Sequence, residues 1–151
     1  MRLFRAALPI PVLVLGLGLG ACSDPAPAGP EAPPTPAPAV LGGVDLNQPL
    51  RALGTEPFWA VEITPQDLAY TAVDAVEVRA SNPGPTIQGT TAVYAAAGAD
   101  GATLVVTLIA TECSDGMSDR VYPLTARVEL GAQTLNGCAA SVAFLETQPA
   151  P

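Results

Sequence analysis

The chain has 151 residues, with six arginines, no lysine, no histidine, fourteen acids and a formal charge of −8. This length allows one modest buried core. Without histidine, a single chain has no His-based acid/base catalysis, no Ser-His-Asp or Cys-His nucleophile and no His-ligated metal. Single, scattered arginines on an acidic chain exclude nucleic acid as a partner.

Residues 1–21 carry the three parts of an export signal. Arg2 and Arg5 form a positive start, an apolar run follows from Ala6 to Leu19, and small residues precede Cys22. The run is too short and too rich in Pro and Gly to span a bilayer, which takes roughly 20 apolar residues. Its end, Leu19-Gly20-Ala21-Cys22, resembles the lipobox of bacterial lipoproteins, with Gly20 standing where Ala, Ser or Thr is more usual. The resemblance implies that the chain is cut before Cys22 and that Cys22 is acylated. Each buried CH₂ contributes about 0.8 kcal/mol, so two or three acyl chains tether a protein to the bilayer almost permanently. Lipoproteins with Asp directly after the cysteine tend to stay in the inner membrane. Here Ser23 holds that place and Asp24 follows, which implies the outer membrane, with the domain in the periplasm. Removal of the signal leaves four arginines against fourteen acids, a formal charge of −10 that attracts cationic partners.

A spacer of residues 22–40 follows. Seven prolines and no large apolar residue between Ser23 and Ala39 hold this segment extended. At about 3.1 Å per residue it reaches roughly 50 Å. Residues 41–147 carry the pattern of a β-rich domain, and 148–151 read as a disordered tail.

Within the domain, residues 45–53 fit an edge strand, a short helix or a loop. Phe58–Ile63 alternates, with Trp59, Val61 and Ile63 on one face. Leu68–Thr71 is a second strand, and Ala75–Arg79 a third that points Val76 and Val78 one way. Asn82-Pro83-Gly84-Pro85 marks a turn. Further strands are predicted at Thr86–Ala95, Thr103–Thr111, Tyr122–Leu130, Gln133–Asn136 and Ser141–Phe144, with Asp100-Gly101 as a hairpin turn. No stretch sustains a 3.6-residue apolar period. The expected fold class is all-β: a small antiparallel β-barrel or sandwich with one disulfide, preceded by the signal and the Pro-rich linker.

With Cys22 lipidated, Cys113 and Cys138 remain as a pair in an oxidising compartment. A disulfide between them stabilises by roughly 3.5 kcal/mol on the chain-entropy model. The alternative, a redox pair, more often takes the form Cys-x-x-Cys. The most polar stretch is Glu112-Cys113-Ser114-Asp115-Gly116-Met117-Ser118-Asp119-Arg120. Its acids are not spaced as in a calcium loop, so no metal is expected. Ser114 and Ser118 lack a His or Lys to activate them as nucleophiles. Two readings stay open for this segment: a loop held by Asp side chains on its own backbone, with Gly116 allowing φ > 0, or a recognition surface. Glu56-Pro57-Phe58-Trp59 is the other conspicuous cluster. Trp59 reads first as core, and Glu56, held extended by Pro57, is aimed at a partner such as Arg120. A carboxylate pair of Glu56 with Asp115 or Asp119 is the form a glycoside hydrolase would take, in a domain with few aromatics to stack sugars.

Gly54-Thr55-Glu56-Pro57-Phe58-Trp59, Cys113 through Tyr122-Pro123, and Leu135-Asn136-Gly137-Cys138-Ala139 resemble the signature segments of an uncharacterised family of bacterial envelope lipoproteins. Its members sometimes occur beside META (HslJ-like) or lysozyme-inhibitor-like domains. The resemblance covers about residues 50–140. It implies a compact periplasmic β-domain with a Cys113–Cys138 bridge, and it supplies no activity or catalytic residues. The usual motif of membrane-bound C-type lysozyme inhibitors is not seen.

The expected function is therefore that of a membrane-anchored, non-enzymatic lipoprotein, whose β-domain binds a partner or supports the envelope. The anchoring partner is the bilayer, through Cys22, and no cofactor is called for. Candidate recognition residues are Glu56, Trp59, Ser114, Asp115, Met117, Ser118, Asp119, Arg120 and Tyr122. The alternatives are inhibition of a cationic cell-wall hydrolase such as C-type lysozyme, steered by the negative charge, and a hydrolase working with carboxylates alone.

Overall fold

Period-two alternation sets the faces of nearly every strand. A computed structural model describes residues 39–98 and 101–147, all within one compact unit. The signal at 1–21, Cys22, the spacer as far as residue 38, Asp100 and the tail at 148–151 lie outside the described residues. No helix among the described residues is long and apolar enough to cross a membrane.

A small hairpin of β1 (Val40–Leu41) and β2 (Val44–Asp45) comes first. β3 (Leu50–Thr55), β4 (Phe58–Ile63), β5 (Asp67–Ala72) and β6 (Val78–Ser81) then form one meander. A second is made by β7 (Thr86–Gln88), β8 (Thr91–Ala97) and β9 (Thr103–Ile109). A two-residue ribbon of β10 (Cys113–Ser114) and β11 (Val121–Tyr122) stands outside the main sheet. β12 (Leu124–Leu130), β13 (Gln133–Ser141) and helix α1 (Val142–Thr147) complete the domain.

The main sheet is antiparallel in the order β6-β5-β4-β3-β13-β12-β9-β8-β7. That order is an up-and-down path around a barrel, closed where β13 meets β3 and left open between β6 and β7. A bridge between Ala80 and Gly98 draws β6 toward the end of β8, so the sheet curls into a half-barrel. Inward-facing residues fill its interior: Leu50 and Ala52 on β3, Val61 and Ile63 on β4, Tyr94 on β8, Leu104, Val106 and Leu108 on β9, and Ala126 and Val128 on β12. Small and large side chains alternate, which suits the taper of a small barrel.

The structure corrects five sequence expectations, the first being that the strand expected at Tyr122–Leu130 is split at Pro123 into β11, paired with β10, and β12. Residues 50–55 form a central strand between β13 and β4, because Leu50, Ala52 and Gly54 all face inward. The strand expected at Ala75–Arg79 begins at Val78 instead; Val76 sits in the preceding turn, 87% exposed, and Ala80 is the second inward residue. The run Thr86–Ala95 is two strands, because Gly89 at φ 57° opens a two-residue hairpin between Gln88 and Thr91. The separate strands at Gln133–Asn136 and Ser141–Phe144 are one long strand, β13, followed by a helix. Ser141 Oγ accepts the Phe144 N–H at 3.1 Å as the helix N-cap.

The tightest packing lies where β3 and β13 meet. A Cβ on Gly54 would run into the indole of Trp59, and one on Gly137 would run into the backbone carbonyl of Leu53 and come within 2.9 Å of Trp59 Cζ2. Trp59 therefore fills a space that these two glycines leave empty. Gly137→Ala is expected to destabilise the domain near the upper end of the ~1–3 kcal/mol that overpacking usually costs, read as a lower urea midpoint at unchanged slope. The Tyr94 hydroxyl, by contrast, is buried with no hydrogen-bond partner among the described residues, and burial pushes its pKa up to about 12. Tyr94→Phe removes that unsatisfied group, so its urea midpoint is expected to equal or exceed that of the native protein; a clear drop would mean that the hydroxyl has a partner.

Candidate functional site

The loop between β10 and β11 is built around one carboxylate. Asp115 accepts the N–H groups of Met117 at 3.0 Å and Ser118 at 2.9 Å, together with the Ser118 hydroxyl and the Tyr122 hydroxyl, the last at 2.9 Å. Partial desolvation works against ionisation here, but these donors outweigh it and hold the Asp115 carboxyl at about 2. Gly116 takes φ 72°, and its N–H donates to Ser114 Oγ. Arg120 N–H donates to Ser118 Oγ, and the Arg120 guanidinium lies 5.7 Å from the centre of the Tyr122 ring. Tyr122 is buried, and burial first, then its bond to Asp115, raises its pKa.

Two ties fix this loop to the sheet. The Cys113–Cys138 disulfide joins β10 to the outer face of β13, with Cα atoms 5.5 Å apart. Thr55 Oγ1 donates to the Asp115 carbonyl at 3.3 Å, reaching from β3. Tyr122, Cys138 and Ala140 form a small second core on this outer face, covered by Phe144 and Leu145 of α1.

Between the loop and the outer face of β3–β5 runs an open groove with a volume of about 780 Å³. Leu53 and Ala60 are side by side in its floor, and Phe58, Val73 and Met117 line it while remaining 55%, 70% and 66% exposed. Arg51, Asp115, Arg120 and Tyr122 supply its polar edge, and Leu145 approaches from α1.

Of the residues singled out from sequence, Trp59, Asp115, Met117, Arg120 and Tyr122 line this groove. Trp59 is buried with the core. Glu56 is exposed beside a cis Glu56–Pro57 peptide and lines a different cavity of about 540 Å³, together with Ser114 and Gly116. Ser118 serves the loop, and Asp119 is exposed. Cys22 is outside the described residues. Among those residues, no three His, Cys, Asp or Glu side chains gather in a way that would hold a metal ion. Sequence reasoning missed Arg51, Leu53, Phe58, Val73 and Leu145 as groove residues. The available signal was Phe58, a large apolar residue on the solvent side of the Trp59–Ile63 alternation. Comparison with protein-family models, curated proteins and solved structures finds no match for the chain.

Asp115 stabilises the fold as an ionised acceptor. Its folded pKa lies below the ordinary carboxylate value, so this contribution is complete above about pH 4 and is lost as pH falls toward 2. Asp67, lowered by hydrogen bonds from Thr64 and then Arg79, acts in the same direction. Asp115→Ala is expected to cost about 1–3 kcal/mol at pH 7, because it strands the Tyr122 hydroxyl and two loop N–H groups. The gap between native and variant urea midpoints should narrow between pH 4 and pH 2, and a gap constant with pH would contradict the assignment.

Proposed function

We propose that the protein is a membrane-tethered, non-enzymatic lipoprotein of the bacterial envelope, whose β-domain binds a partner through the groove over β3–β5. One observation carries this: Phe58 from β4, Val73 from the turn after β5 and Met117 from the disulfide-tied loop are all strongly exposed, and all line one groove. Exposed apolar residues scattered singly need no explanation, whereas several gathered at one place mark an interaction surface. The rigid seating of the loop supports the same conclusion, since a surface that is ordered in advance loses less entropy on binding.

A non-enzymatic role is supported by the chemistry of the polar edge. Asp115, held at about 2, stays ionised at neutral pH and is poorly suited to act as a general acid, and its oxygens are occupied by loop donors. Inhibition of a cationic cell-wall hydrolase finds less support, because only Glu112 and Asp119 remain as exposed acids of the loop. The tether and the outer-membrane location rest on the lipobox-like end of the export signal at Cys22.

Two measurements test this. The mature protein is expected to begin at Cys22 and to carry acyl mass, while Cys22→Ala leaves an unacylated, uncut chain; a mature chain without acyl groups removes the tether. In cells, full-length protein carrying Phe58→Ser with Met117→Ser is expected to accumulate normally and yet behave like a deletion in envelope permeability to a dye. Full complementation by that variant would take the groove out of the function.

A further inference from the structure

Building on the groove as the working surface, we infer that its occupant is the acyl chain of a free long-chain carboxylate, laid along the outer face of β3–β5 with its anionic end at the groove's arginines. The floor has the shape for a chain. Leu53 pairs with Ala60 and Ala60 with Thr71, so these side chains form a row across three strands. Ala60 is small, and its same-face neighbours on β4, Phe58 and Glu62, stand higher on either side. The result is a trough running across the strands over Leu53, Ala60 and Thr71, with an apolar wall that includes Phe58 and a charged wall at Arg51 and Glu62.

The backbone argues against a peptide in this place. β3 is paired on both sides, with β13 and β4; β4 with β3 and β5; and β5 with β4 and β6. The trough therefore offers no free strand edge to which an extended peptide could add. A peptide pressed onto it would bury its own N–H and C=O groups without partners from the sheet, at a cost an acyl chain does not meet.

Charge points to an anion. Four arginines lie beyond residue 39, and two of them, Arg51 and Arg120, line this one groove of an acidic protein. Arg51 is paired with Glu62 at 3.2 Å, but both side chains are close to half exposed. Such surface pairs are weak, so a ligand carboxylate can replace Glu62 at little cost. The carboxylate that lines the groove, Asp115, is already satisfied by its loop donors and offers little to a cationic ligand.

The test uses residues 23–151, since the β-domain carries its own core. Trp59 is the only tryptophan and, though buried, borders the groove, so a bromine-bearing chain in the groove comes close enough to quench its emission. A terminally brominated dodecanoate is expected to quench it saturably below its micellar concentration. Arg51→Gln and Met117→Gln should each weaken binding by about tenfold, and Arg127→Gln, on a surface away from the groove, should leave it unchanged. Brominated dodecanol and dodecylammonium should bind at least about tenfold more weakly than the carboxylate. No saturable quenching, or saturable quenching that Arg51→Gln and Met117→Gln leave intact, would overturn the inference. If quenching fails while the Phe58/Met117 variant still behaves as a deletion in cells, the carboxylate is wrong and the groove as a binding surface stands. If that variant complements fully, the groove itself is wrong.

Discussion

The meeting of β3 and β13 is the contact on which the rest of the domain depends. Leu53 pairs with Cys138, and Gly54 and Gly137 lie just beyond that pair with the Trp59 indole across them. This junction joins the first and last strands of the main sheet and so closes one side of the curl. Alternation then sends Ala52 and Ala139 into the core and Leu53, Cys138 and Ala140 to the outer face. Only with Cys138 facing outward can the disulfide reach Cys113, and only then does the Asp115 loop stand beside β3. A one-residue slip at the junction would turn Cys138 inward and lose loop and groove together.

The loop itself is held by many small terms rather than one large one. A disulfide over this separation contributes roughly 3.5 kcal/mol on the chain-entropy model, and the donors to Asp115 add charge-assisted bonds of about 1.5–3 kcal/mol each at best. Against a net stability of about 5–15 kcal/mol, either set is a large fraction. This explains why a nine-residue polar stretch lies fixed over the sheet although it buries little apolar surface. Tyr122 couples the two, being packed with Cys138 on one side and hydrogen-bonded to Asp115 on the other.

The sequence was most legible where the inward face is apolar at every second position. Phe58–Ile63 and Thr103–Ile109 follow that rule, and β4 and β9 lie within the strands expected at Phe58–Ile63 and Thr103–Thr111. It was least legible where neighbouring residues are alike. Val76, Val78 and Ala80 fall in one alternation, so the pattern told the face of β6 but not where the strand begins. Gly89 lay hidden in a run of β-formers, and Gly137-Cys138-Ala139-Ala140 is too uniformly small to announce the middle of a strand. Ser141 did carry a readable signal as a helix cap, but the apolar Val142 and Phe144 beside it resembled strand. For the site, the disulfide and the polar loop were visible because cysteine and aspartate are rare and specific here. The groove was not, because Arg51, Leu53, Phe58 and Val73 come from different elements and meet only once the sheet is folded.

The filled interior leaves the outer face as the place for an open groove. The curled half-barrel is filled by its own side chains: Tyr94, Leu104, Val106 and Val128 occupy its interior without a buried charged residue among those described. Interior ligand binding would require larger side chains to be traded for smaller ones, with the loss of core stability that follows. The outer face is under no such constraint. Its side chains can change without disturbing the ladder beneath, so a groove roofed by a disulfide-fixed loop leaves the core intact. That separation also means that substitutions at exposed groove positions should leave the fold intact, whereas those at Gly54, Trp59 and Gly137 act on it, although Phe58 and Trp59 are adjacent in the chain.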